Sequence, residues 1–326
     1  MKKVLVSGIK PTGKLHFGNY FGAMKQNIDL INSGEYKKNY VFLADYHALT
    51  TVKNKEELKK QTLEAAAAYI ACGLDVSKTV LFKQSDVREV TELTWIFNNV
   101  VTMPYMMRAH AFKDNEAKDK DVNVGLFDYP VLMASDILIY DGTVVPVGGD
   151  QKQHVEYARD IAGYYNRAWG VEQFKLPKEY ILDSVATLPG IDGKKMSKSY
   201  NNHIELFCSD DELHKRVMSI VTDSASPEDK KNPDTNNIYN IHRHFLSESE
   251  NTALRAKFEN GGYGYKQAKE DLLATIMKWR EGKKELYDSL LSNPEKLITI
   301  LNGGGKKARL KAKKTMMKVR AQVGLE

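Results

Sequence analysis

Short β-branched and aromatic runs alternate with longer helical patterns through the first two-thirds of the chain. Residues 4–7, 40–44, 79–83 and 143–147 have the length and apolar character of strands buried in a sheet. Between them, residues 55–71 are rich in Glu, Leu, Lys and Ala, and the pattern stops at Gly73. Asp86 is placed to cap a helix that runs to Val101, and Asp150 to start one that reaches Tyr165. This alternation predicts an α/β fold, a parallel sheet with crossover helices, whose ligands sit beyond the C-terminal strand ends. After about residue 200 the strand signal disappears, and residues 210–220, 265–289 and 305–323 read as helices. A first domain over 1–200 and an all-helical second domain over 201–326 are expected. The charge-dense run 113–121 reads as a polar excursion between helices.

With 326 residues, 42% of them hydrophobic, the chain can fill one large core and a smaller one. Lys2 and Lys3 precede an apolar run that ends at Gly8 and Pro11, too short for a secretory signal or a membrane span. A cytoplasmic protein without membrane contact is expected. Cys72 and Cys208 are the only cysteines and lack metal or redox spacing, so no protein-bound metal is expected. The net charge of +6 is unevenly spread. Residues 306–320 carry Lys306, Lys307, Arg309, Lys311, Lys313, Lys314, Lys318 and Arg320 with no acid among them. Such a segment suits a polyanion, and a solvated helix face is the plainer alternative.

Candidate chemistry begins at GIKPTGKL, residues 8–15, which spells the G-x-x-x-x-G-K of a phosphate-cradling loop after the first strand. Leu15 stands where that loop needs a hydroxyl for Mg2+, which counts against it. The next four residues, HFGN, offer a different hold on a nucleotide. Gly18 leaves the backbone bare at a helix start, where free N–H groups favour an anion, and His16 and Asn19 can donate to the same phosphates. Far downstream comes KMSKS, formed by Lys195, Met196, Ser197, Lys198 and Ser199 and preceded by Gly190, Gly193 and Lys194. Two lysines and two serines on a glycine-flanked loop can close over a triphosphate and neutralise charge on departing pyrophosphate. Together, HFGN and KMSKS resemble the two signature motifs of class I aminoacyl-tRNA synthetases, and the P-loop match is then coincidental. The resemblance implies a Rossmann-like catalytic domain followed by a helical domain that binds the tRNA anticodon.

A third group narrows the class. In YPVLMASDILIY, residues 129–140, a helix would put Tyr129, Met133 and Asp136 on one face. A carboxylate in an apolar wall is either paired structurally or waiting for a ligand donor. Followed by VVPVGGDQKQH at 144–154, the arrangement is similar to tryptophanyl-tRNA synthetases, and the similarity runs over nearly the whole chain, including VTDS at 221–224. It implies that Asp136 accepts an indole N–H and that Tyr129, Met133, Val145, Val147, His47 and Gln151 line the amino-acid site. It also implies that Lys10, Pro11, Thr12, Gly18 and Asn19 face ATP, that Gly148, Gly149 and Asp150 hold the adenosine, and that residues 195–199 bind phosphates. Lys195, Lys198, His16 and Asn19 would be the catalytic set. The implied partners are L-tryptophan, ATP with Mg2+, tRNA(Trp) and a second subunit in a homodimer. Lys10 departs from the Gln of many members, and Asn115 from a phosphate-binding Lys, leaving Lys113, Lys118 or Lys120 as substitutes. The nearest alternative is a tyrosyl-tRNA synthetase, disfavoured by MASD and VGGDQKQH. An RNA-binding protein without ATP chemistry would leave KMSKS without a use.

Overall fold

A computed structural model describes residues 3–11, 13–108, 123–148, 152–181 and 188–326. Five strands, β1 (Val4–Ile9), β2 (Lys38–Leu43), β3 (Thr79–Lys83), β4 (Val144–Val147) and β5 (Lys178–Ile181), pair in parallel in the order β3-β2-β1-β4-β5. The order steps outward from β1 to β3 and then resumes on the other side of β1. That reversal opens a crevice at the C-terminal strand ends, the usual ligand position in such sheets. Leu5, Val6, Val41, Leu43, Leu81 and Phe82 are buried, so apolar runs rather than alternation mark these strands. The four expected strands are all present. β5 was not expected, because KEYI is a largely exposed outer strand and carries no apolar run.

The helix Lys55–Ala71 has the expected bounds, with Asn54 accepting the backbone N–H of Glu56 and Glu57. Asp86 does not cap the following helix: it ends a 3-10 turn, Gln84–Asp86, and the helix is Glu89–Asn98. The helix expected from Asp150 is Lys152–Ala168; Asp150 and the run 113–121 lie outside the described residues. The stretch 265–289 is two helices, Tyr265–Arg280 and Lys283–Ser292. They are separated at Gly282, whose φ of 71° no helix accepts.

Packing divides the chain into two compact units, and not at residue 200. One comprises Met1–Gly13, Asn27–Asp183 and Leu290–Glu326; the other, Lys14–Gln26 and Ser184–Ser289. The short segment Lys14–Gln26 joins the helical unit because its rings find partners there. Phe17 lies 5.0 Å from the Phe245 ring and 5.1 Å from Trp279, and Tyr20 lies 4.8 Å from Trp279. The last helix, Pro294–Val323, instead belongs to the sheet unit, where Ala308, Ala312, Met316 and Val319 enter the core. It begins well before the expected residue 305 and runs through three glycines. A Cβ on Gly304 would lie 1.8 Å from the Leu81 carbonyl oxygen of β3, so the helix can rest on that edge strand only without a side chain there. Glycine costs about 1 kcal/mol relative to alanine inside a helix; close packing against the edge strand offsets it.

Candidate active site

In the helical unit, backbone pairing joins two motifs that lie far apart in the chain. Phe17 N–H donates to the Ile204 carbonyl at 3.0 Å and Leu206 N–H to the Leu15 carbonyl at 2.9 Å, with His16 opposite Glu205. This antiparallel bridge sets HFGN beside the segment that follows KMSKS. Met196 is buried, and its Sδ accepts the Gly18 N–H at 3.2 Å. A Cβ on Gly18 would stand 3.2 Å from Met196 Cβ and 2.9 Å from His16 Nδ1, so the junction depends on glycine. Asn202, also buried, pins the loop: its Oδ1 accepts Ser197 N–H at 2.8 Å, and its Nδ2 donates to Lys195 O at 3.1 Å and Asp192 Oδ1 at 2.7 Å. Met196 is thus the anchor, while Lys195, Ser199 and Asn19 are exposed and Ser197 and Lys198 half-buried.

His16 is buried, and its ring is pushed down to about 4, first by desolvation and then by the nearby His203 and Lys198. It is a neutral imidazole at neutral pH. Asn19 Oδ1 accepts the His16 backbone N–H at 3.1 Å. The P-loop-like spelling is not a phosphate cradle. Gly8 is a β1 residue in register with Phe42, and Lys14 pairs with Glu205 at 3.1 Å.

The sheet unit holds the other cluster. On the helix Val124–Leu138, Asp136 is only 1% exposed, yet it is not bare. His47 Nε2 lies 3.0 Å from its Oδ2, and Gln84 Nε2 donates to Oδ1 at 2.9 Å and Oδ2 at 2.8 Å. Burial pushes the Asp136 carboxyl up, against the pull of His47 and Gln84. His47 follows β2 and Gln84 directly follows β3, so the partners come from adjacent C-terminal strand ends. The two loops are tied to each other: Gln84 Oε1 accepts Tyr46 N–H at 3.1 Å, and Asp45 Oδ1 accepts Ser85 N–H at 3.0 Å. Tyr129 stands with its ring 6.2 Å from His47 and its hydroxyl hydrogen-bonded to His154 Nε2. Val145 and Val147 are buried, with Met133 packed against the same core.

Asp136, His47 and Tyr129 therefore come together as expected. Thr12, Gly149, Asp150 and Gln151, with Lys113, Asn115, Lys118 and Lys120, lie outside the described residues. Lys10 is exposed and Pro11 buried after β1, and Gly148 follows β4 half-buried. Gln84, Asn202 and His154 were not among the expected site residues. For Gln84 a signal existed, since it is the first residue beyond a predicted strand. A hollow of about 460 Å³ shares His47 and Tyr129 with this cluster and is bounded also by Thr50, Trp95 and Asn98; Asp136 is not part of its wall.

The sheet unit thus holds a buried carboxylate at its strand ends, and the helical unit holds a lysine-serine loop locked to a glycine-opened helix start. A model of class I tRNA synthetases (W and Y) matches residues 2–279, and the chain belongs to that family. Within it, the chain stands with the bacterial tryptophan–tRNA ligases. It is 49% identical over 325 residues to the tryptophan–tRNA ligase of Fusobacterium nucleatum subsp. nucleatum, covering 100% of this chain and 98% of that protein. With the ligase of Campylobacter jejuni it shares 45% over 321 residues, 98% of this chain and 99% of the other. The crystal structure of the Campylobacter jejuni tryptophanyl-tRNA synthetase complexed with ADP and tryptophan superposes with a TM-score of 0.93 at 44% identity, over 99% of this chain and 100% of that one. The tyrosyl alternative is not favoured by these relatives.

Proposed function

We propose that the protein charges tRNA(Trp) with L-tryptophan at the cost of ATP. The tryptophan carboxylate attacks the α-phosphate of ATP, which enters with Mg2+, and pyrophosphate leaves; a ribose hydroxyl of the tRNA 3′ end then takes the aminoacyl group and AMP departs. Neither step needs a protein nucleophile, only positioned charge and hydrogen bonds. The observation that carries this reading is the buried Asp136 carboxylate. Its Oδ2 accepts two hydrogen bonds and its Oδ1 one, so of about four lone-pair sites one on Oδ1 is left for an indole N–H. Tyr129, Met133, Val145, Val147, His47 and Gln151 complete the amino-acid site in this proposal.

Lys195 and Lys198 meet the charge that grows on pyrophosphate, with Met196, Ser197 and Ser199 shaping the loop. His16, as a neutral ring, donates one hydrogen bond to a phosphate, and Asn19 donates from its amide. Lys10, Pro11, Thr12 and Gly18 face ATP, and Gly148, Gly149 and Asp150 hold its adenosine. Residues 201–289 of the helical unit bind the anticodon. A cytoplasmic setting follows from these partners, and no helix among the described residues is long and apolar enough to cross a membrane. A homodimer is supported by Trp95, 70% exposed, and Leu49, 47% exposed, in the wall of the 460 Å³ hollow.

The test is pyrophosphate exchange with single amino acids, followed by transfer to tRNA(Trp) transcripts. Exchange that depends on tryptophan, with charging of tRNA(Trp), is the expected result. Exchange driven by tyrosine, or ATP hydrolysis without any amino acid, would end this proposal.

A further inference from the structure

The structure sorts the basic run 306–320 into two sets. At 100° per residue, Ala308, Ala312, Thr315, Met316 and Val319 form the face of the last helix that enters the core. On its flanks, three cations are held by acids of the sheet unit. Arg309 Nε lies 2.9 Å from Glu89 Oε1, Lys311 Nζ 2.7 Å from Asp141 Oδ2, and Arg320 bonds both oxygens of Glu92 at 2.7 and 2.6 Å. The opposite face carries Lys306, Lys307, Lys313, Lys314 and Lys318, all exposed, along an arc of about 140° and a length of about 18 Å. The helix puts no acid on this arc, since the sequence has none between 306 and 320; Glu89, Asp141 and Glu92 pair with the flanking cations, and Asp86, which lines a hollow with Lys306, pairs with Lys83.

We infer that this five-lysine face is a docking rail for the phosphate backbone of tRNA, an inference that rests on the charging reaction proposed above. Its length spans several nucleotides, and lysines spaced one to two helical turns apart can each meet a phosphate without reading a base. Leu310, 64% exposed, and Met317, 62% exposed, lie between the lysine pairs and offer apolar surface to the sugars. Two such side chains are too few to seat the helix in a lipid surface, which needs a continuous apolar face, and here that face is already in the core.

The experiment compares two full-length variants with the wild type. In the first, Lys306, Lys307, Lys313, Lys314 and Lys318 are changed to Gln; in the second, Arg309→Gln and Lys311→Gln remove inward cations. Binding of tRNA(Trp) is measured across a salt series. Each phosphate that the protein no longer neutralises removes about 0.7 to 0.9 from the slope of log K against log salt, so the first variant should flatten it by about 2 to 4 and bind at least tenfold more weakly near 0.1 M salt. The second should lower Tm and leave the slope alone. Tryptophan-dependent pyrophosphate exchange, which needs no tRNA, should be unchanged in the first variant. An unaltered slope in that variant overturns the inference. So does a loss of binding to phosphatidylserine vesicles with tRNA binding intact. If the wild type lacks tryptophan-dependent exchange, the proposed reaction fails first, and the two failures are told apart.

Discussion

Asp136 is 1% exposed and its carboxylate accepts three hydrogen bonds from two side chains, whereas Lys195 stands in solvent on a loop held from beneath by Met196, by Asn202 and by backbone pairing with residues 188–190. The first arrangement is desolvated and fully braced; the second is braced beneath and open above. Discriminating one aromatic side chain from another requires an unpaired partner to be costly, and that cost exists only where water is excluded. Binding a triphosphate requires cations that can follow a moving charge, and burying them would cost several kcal/mol each before any ligand arrived. With the roles proposed above, the two regions differ because selectivity and charge neutralisation ask opposite things of solvent.

The largest effect should come from the braced region. Asp136→Ala removes the proposed indole acceptor and leaves His47 and Gln84 without their shared partner, so kcat/KM in tryptophan-dependent exchange should fall by about 10³ or more, roughly 4 kcal/mol. A loss under about tenfold would place recognition elsewhere. In the open region, Lys195→Ala and Lys198→Ala should each slow single-turnover adenylate formation by about 10², with a smaller change in tryptophan KM. Unchanged rates in both would remove the loop from catalysis.

The supports should separate the regions more finely. Gln84→Leu deprives Asp136 of two of its hydrogen bonds and should raise tryptophan KM by about tenfold with ATP KM unchanged. Asn202→Ala frees the loop at Ser197 and Lys195, and should raise ATP KM and lower kcat by about tenfold while tryptophan KM holds. Steady-state kinetics with each substrate varied would contradict this separation if either variant moved both KM values together.

A last effect is on stability. His16 and His242 in the helical unit are both held down to about 4, chiefly by burial. Unfolded histidines titrate near 6.5, so between pH 6.5 and 4 the unfolded chain binds protons that the folded chain refuses. Stability is therefore fully present above about 6.5 and declines as pH falls through this window; for His242 the slope approaches about 1.4 kcal/mol per pH unit. Thermal melts from pH 7 to 4 should show this, and His242→Gln should flatten the curve. An identical pH dependence in that variant would assign the acid sensitivity to other groups.

What the sequence made legible follows the same division. Four strands and the helix Lys55–Ala71 were readable because the sheet buries apolar runs and the helix is a Glu-, Leu-, Lys- and Ala-rich stretch with a glycine stop. β5 was not, since it is held by backbone pairing with β4 rather than by apolar burial. The last helix was misjudged at its start because a triple glycine normally breaks a helix, and only the approach of Gly304 to Leu81 explains it. Assignment of Lys14–Gln26 to the helical unit was also hidden, since it depends on Phe245 and Trp279, distant in sequence. Asp136 could be singled out as a carboxylate on an apolar helix face. That Gln84 rather than another polar group would brace it could not, because that depends on how two loops after adjacent strands are tied together.

In the proposed reaction, selection of the amino acid turns on Asp136 reading a single donor. The most direct measurement is exchange kinetics with tryptophan and with β-(3-benzothienyl)alanine, which keeps the bicyclic shape and puts sulfur where the indole carries N–H, on the wild type and on Asp136→Ala. The wild type should reject the analogue by about 10³ or more, because the buried carboxylate would be left without its ligand donor, and the variant should shrink that ratio to within about tenfold. Equal use of both compounds by the wild type, or undiminished rejection by Asp136→Ala, would contradict the assignment.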